Sequence, residues 1–171
     1  DAWALAQVAD GRPAPPGWAG LKFFNVYGPN EAHKGAMASV VWHASRQIHE
    51  SGEVRLFRST DPAFPDGGQR RDFIHVDDVV AMNLWFWDHP EKSGIYNCGT
   101  GRAQPFNDIA NAVIAWHGRG HIDYVPFPDN LKGRYQSFTE ASHEQLRAIG
   151  YDRPFLTVEE GVKRYLDWLN G

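Results

Sequence analysis

With 171 residues, 42% of them hydrophobic and 22% charged, the chain is long enough to bury one sizeable core of ordinary globular composition. A formal charge of −4 is a poor match for non-specific nucleic-acid binding. One cysteine, Cys98, excludes an internal disulfide and argues against a cysteine-based zinc site, and no apolar run is long enough to span a bilayer.

The expected protein is therefore soluble and cytoplasmic, with no nucleic-acid partner and no membrane partner. The eight histidines lack metal-site spacing. Aromatic residues make up 13% of the chain and include seven tryptophans. Their first use is core filling, and their second is the lining of a sugar or nucleotide pocket.

In chain order, DAWALAQVADG reads as the end of a helix that starts without an N-cap or a methionine, as in a fragment. A Pro/Gly-rich loop, RPAPPGWAG, follows. LKFFNVYG reads as one buried strand closed by Gly28-Pro29. Met37, Val40, Val41, Ala44 and Ile48 form a helical stripe that Gly52 ends. EVRLF is a short strand, STDPAFPDGGQR a loop and RDFIHV a strand. Asp77 or Asp78 can cap the next helix, VVAMNLWFW, which is apolar nearly all round. GIYNCGTG is a strand and turn, PFNDIANAVIAWHG a helix and HIDYVPF a strand. Ser142 with Gln145, and Thr157 with Glu160, have capping-box spacing before the last two helices. The final helix should bury Val158, Val162, Tyr165, Leu166 and Leu169. Strands alternate with helices, so the class is α/β.

Gly99-Thr100-Gly101 follows a strand, but a dinucleotide fingerprint needs a third glycine where Gln104 stands, so a tight turn is the better reading. Arg70-Arg71 is a pair of forks suited to a pyrophosphate, and Arg55, Arg58, Lys132 and Arg134 add cations. Taken singly, each of these also suits a solvated face. Tyr135 can stack or donate a hydrogen bond, or sit as a partly buried aromatic. Lys34 opens a helix beside Gly35 and Ala36, which leave space around it. The helix should then carry Ala36, Ser39 and His43 on one stripe that can face a cavity. No Tyr-x-x-x-Lys occurs.

FNVYGPNEAHKGAMASVVWH, LFRST, RRDFIHVDDV, NLWF, YNCGTGRAQ, IDYVPFPDNLKGRYQSFT and GYDRPFLTVEEGVKRYLDWL, taken in order, resemble the C-terminal half of the ADP-L-glycero-D-manno-heptose 6-epimerases. These are NAD-dependent epimerase/dehydratase enzymes of the extended short-chain dehydrogenase/reductase group. RDFIHVDDV and YNCGTG are shared across that group, whereas HKGAMAS and PDNLKGRYQ are the specific parts.

The resemblance implies the C-terminal part of a Rossmann-like fold. Residues of about 1–28 and 72–101 would supply its last strands and helices. Residues of about 29–71 and 102–171 would form mainly the smaller α/β substrate domain. The implied reaction is inversion at C6 of ADP-heptose, for lipopolysaccharide core precursors, by oxidation with NADP and re-reduction. Lys34 would be the second acid/base group, opposite a tyrosine outside this chain. Asn25, Ala36, His43, Phe57, Arg58, Ser59, Thr60, Arg71 and Tyr135 would hold the substrate, and Val26 would touch the cofactor. The implied partners are the missing N-terminal Rossmann half and further copies in a homo-oligomer, a pentamer.

Three departures from the family pattern stand out. Ala36 replaces a serine. Arg58-Ser59 replaces an acidic-glycine pair, and the loop PAFPDGGQ is longer. The chain also holds no glycine-rich phosphate loop, so it is expected to be inactive by itself. Another nucleotide-sugar epimerase or dehydratase, and a non-catalytic sugar-nucleotide-binding module, remain open as alternatives.

Overall fold

The computed structural model describes residues 2–12, 15–133 and 135–171. Helix α1 (Ala2–Ala9) leads through the Pro/Gly loop into strand β1 (Ala19–Phe23), which pairs in parallel with β5 (Gly94–Cys98). Strand β2 (Asn25–Tyr27) pairs instead with β4 (Arg70–His75), so LKFFNVYG is two strands and not one. The break falls at Phe24. Its N–H still donates to Cys98 on β5, while its carbonyl turns to accept from the Val26 N–H. The chain thereby changes neighbours within one residue.

Strand β4 is the centre of this part of the molecule, with five of its six residues buried. Its second neighbour is β6 (Ala103–Pro105), an antiparallel strand of three residues. The sequence pattern leaves RAQ unassigned and starts the next helix at Pro105, whereas Pro105 ends β6 and the helix begins at Phe106. A third parallel pair joins β3 (Glu53–Phe57) to β7 (His121–Val125). Parallel pairs joined by helical crossovers make an α/β fold, as expected.

The helices divide the interior between two cores. Helices α2 (Val40–Glu50), α4 (Phe106–His117) and α6 (Val158–Asn170) bury Val41, Ala44, Ile48, Ile109, Val113, Val162 and Tyr165 in the first. Helix α3 (Val76–Asp88) and the short α5 (Glu144–Ala148) bury Met82, Trp85, Phe86 and Leu146 in the second, beside Ile74 and Tyr96. The opposite face of α3 is also apolar and leaves Val80, Leu84 and Trp87 exposed.

The ends of α6 and α4 follow local chemistry. The Thr157–Glu160 capping box forms, and Gly118 ends α4 in the left-handed conformation at φ 63°. Two expected caps differ. Helix α3 is capped by His75, whose Nδ1 accepts from the Asp77 N–H at 3.2 Å, and Asp77 and Asp78 sit in its first turn. Helix α5 begins after His143 with no side-chain cap, because Ser142 reaches only the Glu144 N–H, at 3.4 Å.

Met37 does not join the core stripe of α2 and is 84% exposed. It belongs to a separate 3₁₀ turn, Ala32–Met37, that ends before Ser39 caps α2. Among the described residues, no helix is long and apolar enough to cross a membrane.

Candidate functional site

Two cavities meet behind the 3₁₀ turn and share Ala38, Val40 and Phe106 as walls. The smaller, about 280 Å³, lies over β2 and β4 and is lined by Asn25, Val26 and Phe73. The larger, about 330 Å³, lies between α2 and β3 and is lined by Ala36, His43, Arg55, Phe57, Gln69 and Tyr135. Six of the expected residues, Asn25, Val26, Ala36, His43, Phe57 and Tyr135, thus fall on the walls of two adjoining cavities.

The stripe Ala36, Ser39 and His43 does reach these cavities, but not along one continuous helix. Gly35 breaks the backbone with φ 55° and ψ −123°, a conformation open to glycine alone. A Cβ on Gly35 would meet nothing within 4 Å in this chain, so the glycine serves the turn and not the clearance around Lys34. The turn is closed at its base by Glu31, which is buried. Its carboxylate accepts from the Ser39 N–H at 2.7 Å and from the Ser39 hydroxyl at 2.6 Å.

Arg71 lies behind the larger cavity. It is 8% exposed, with its guanidinium 4.7 Å from the Tyr135 ring centroid and 5.8 Å from that of Phe106. One nitrogen, Nη1, donates to the Arg70 carbonyl at 2.8 Å. Among the described residues no carboxylate pairs with it. Burial lowers its pKa, while Tyr135 acts in the opposite direction. Burial in turn pushes the Tyr135 hydroxyl up, and Arg71 opposes that. A buried, unneutralised guanidinium on an aromatic wall favours an anion that supplies the missing charge.

Other expected residues lie elsewhere. Lys34 is exposed and stands on neither cavity wall, although Ala36 and Met37 beside it do. Arg58 turns to β7, donating from Nε to the Tyr124 carbonyl at 3.1 Å. Ser59 is tied within its own loop, its N–H to Asp66 at 2.8 Å and its hydroxyl to the Asp61 carbonyl at 2.8 Å. Thr60 is exposed. Lys132 pairs with Asp129 at the surface, at 2.6 Å, and Arg134 lies outside the described residues.

Arg55, read as one of several surface cations, lines the larger cavity, and so do Phe106 and Gln69. Only the unusual length of the loop before Gln69 signalled anything there. The Gly99–Gly101 turn is structural. Asp72, fully buried, accepts from the N–H groups of Thr100, Gly101 and Ala141 and from the Thr100 hydroxyl, at 2.6–3.1 Å.

Comparison with known proteins agrees with this fold. Residues 17–99 match the model of the NAD dependent epimerase/dehydratase family. The chain is 62% identical over 148 residues to the ADP-L-glycero-D-manno-heptose-6-epimerase of Alkalilimnicola ehrlichii, covering 86% of this chain and 46% of that protein. The Helicobacter pylori ADP-L-glycero-D-manno-heptose-6-epimerase structure superposes with a TM-score of 0.72 at 31% identity, over 88% of this chain and 44% of that one. The Thermus thermophilus UDP-glucose 4-epimerase in complex with NAD gives a TM-score of 0.74 at 26% identity, over 99% and 50%. The chain therefore spans about half the length of the relatives it matches. In sequence and in fold it is similar to one half of these epimerases, and residues 17–99 carry the match to the NAD dependent epimerase/dehydratase family.

Proposed function

We propose that this chain is the substrate-holding part of an ADP-heptose 6-epimerase, working with a nucleotide-binding half that completes the fold. The reading rests on one observation above others: the buried Arg71 guanidinium, without a carboxylate partner among the described residues, against the Tyr135 and Phe106 walls of the larger cavity. A diphosphate supplies the charge that this site lacks, and the aromatic walls suit the rings attached to it. The 62% identity to an ADP-heptose epimerase favours adenosine diphosphate and heptose over other nucleotide sugars.

In this reading Tyr135, Phe57 and His43 hold the nucleotide sugar beside Arg71, and Ala36 leaves room where a polar contact is absent. Arg58, Ser59 and Thr60 would join only through the outer loop. Asn25 and Val26 form the floor of the smaller cavity, a carboxamide beside an apolar surface, which fits one face of a nicotinamide ring. The cofactor is a nicotinamide dinucleotide, in the finer reading NADP. When bound it accepts a hydride from the sugar carbon and returns it to the other face. Lys34 is assigned the proton on the face opposite the tyrosine of the other half. It stands on an exposed turn whose base Glu31 fixes and whose far end enters both cavities. The enzyme would work in the cytoplasm as a homo-oligomer, a pentamer, feeding lipopolysaccharide core synthesis.

Calorimetric titration with ADP-heptose and with UDP-glucose tests the assignment. ADP-heptose should bind at least ten times more tightly, and Arg71→Met should abolish most of that affinity. Equal affinities, or an indifferent Arg71→Met variant, would remove the assignment. A second reading, a sugar-nucleotide-binding module without turnover, draws on the position of Lys34 outside both cavity walls. Epimerase turnover in the presence of the nucleotide-binding half separates the two.

A further inference from the structure

The long loop after β3 delivers a side chain into the larger cavity to which the family resemblance assigns no role. The Phe57 carbonyl accepts from the Gly67 N–H at 3.1 Å, so residues 58–66 form an excursion and the chain re-enters at Gly67. The re-entry is tight. Gly67 has φ 65°, and a Cβ there would collide with Asn107. Asn107 also holds the loop from the other side, donating from its side chain to the Asp66 carbonyl at 3.0 Å. Gln69 follows immediately. It is 4% exposed and lines the 330 Å³ cavity, and its own carbonyl is engaged by the Phe106 N–H at 3.2 Å.

The carboxamide of Gln69 has no hydrogen-bond partner among the described residues. It is not among the fully enclosed unpaired side-chain atoms of those residues, which are those of His75, Thr139 and Tyr165, so its polar end opens onto the cavity. The cavity beside it is where a partner can sit. We propose that Gln69 is a specificity-determining residue: its carboxamide hydrogen-bonds an uncharged donor–acceptor pair of the ligand, either a sugar diol or the adenine edge. This rests on the reading of the cavity as a nucleotide-sugar site. A carboxamide both donates and accepts, whereas a diphosphate offers acceptors only. Arg71, two residues further on, is already the cation suited to the diphosphate.

The test titrates the 171-residue chain with ADP and with ADP-heptose, as wild type and as Gln69→Leu and Gln69→Glu. Gln69→Leu keeps the size and removes the hydrogen bonds, and should raise Kd about ten-fold. Gln69→Glu should raise it further, because its charge faces an anionic ligand. Equal losses for both ligands put the contact on the adenosine, and a loss confined to ADP-heptose puts it on the sugar. Either outcome supports the proposal.

The ligand-free Gln69→Leu protein should melt at or near the wild-type temperature, since the carboxamide makes no hydrogen bond to the described residues that the substitution could remove. A structural role predicts a lower Tm instead. Unchanged affinity for both ligands, or a lowered Tm, overturns the proposal while leaving the site reading in place. A wild-type chain that binds neither ADP nor ADP-heptose overturns both.

Discussion

Glu31 and Ser39 close a nine-residue turn between them: both carboxylate oxygens accept from Ser39, one from its N–H at 2.7 Å and the other from its hydroxyl at 2.6 Å. The same hydroxyl accepts from the Trp42 N–H at 3.3 Å and so starts α2. Glu31 is also packed near Tyr165, whose hydroxyl is held well above its usual pKa by burial first and by Glu31 second. One buried carboxylate therefore couples the start of α2, the core face of α6 and the turn that carries Lys34.

Glu31→Gln should destabilise the chain by about 1–3 kcal/mol, because an amide N–H₂ replaces an oxygen that faces a donor. Ser39→Ala should cost about 1 kcal/mol, the usual worth of a helix N-cap. The double variant should cost less than the sum, since the two residues share the same bonds. Urea denaturation measures all three. An unaltered midpoint for Glu31→Gln would show that the clamp does not stabilise the turn.

Lys34→Ala carries the chemical part of the proposal. In a protein that includes the nucleotide-binding half, it should lower kcat by about 10²–10⁴-fold, the range for an acid/base group, with KM little altered. The residue is exposed and on neither cavity wall, so its loss should leave Tm unchanged. A wild-type rate in the alanine variant would take Lys34 out of the mechanism.

Features encoded over a few residues were legible in the sequence. Val41, Ala44 and Ile48 announce the buried face of α2 by spacing alone, and Thr157 with Glu160 announces the start of α6. Features set by distant neighbours were not. Phe24 ends a strand only because Cys98 and β4 offer different partners on its two sides. His75 displaces Asp77 and Asp78 as a cap because β4 runs directly into α3.

The site divides in the same way. Phe57, His43 and Tyr135 were named through the family resemblance, and all three line the larger cavity. Gln69 arrives there through the course of a loop that has no periodic pattern to read. Arg58 and Ser59 are drawn out of the site by partners on β7 and within the loop.

Asp72 gives the sharpest structural test. It accepts four hydrogen bonds, from Thr100, Gly101 and Ala141, and a Cβ on Gly99 would sit 2.8 Å from its Oδ2. Asp72→Asn keeps the shape but turns an N–H₂ toward N–H donors. The loss should be on the order of 3 kcal/mol, with ligand affinity little changed at temperatures where the variant is folded. Thermal and urea unfolding read it directly. A cost below about 0.5 kcal/mol would mean that other contacts hold the Gly99–Gly101 turn.

The acid sensitivity of the fold should run through His75. Its pKa is lowered, by burial above all and with help from Arg164, while Asp77 opposes the shift. Its Nδ1 accepts the Asp77 N–H, so protonation there removes the cap of α3. In the unfolded chain the imidazole titrates near its ordinary value of about 6.5. Below that pH the unfolded chain takes up a proton that the folded chain resists. Stability should therefore fall as pH drops below about 6.5, and level off once the lowered folded pKa is passed. His117 is shifted in the same direction, by burial, His49 and Arg119, and adds to the slope. His75→Gln should unfold more easily at neutral pH yet lose stability less steeply between pH 6.5 and 5 than the wild type, and His117→Gln should show a smaller flattening. Urea midpoints taken across that range decide the matter: a His75→Gln slope as steep as wild type would assign the acid sensitivity to other groups.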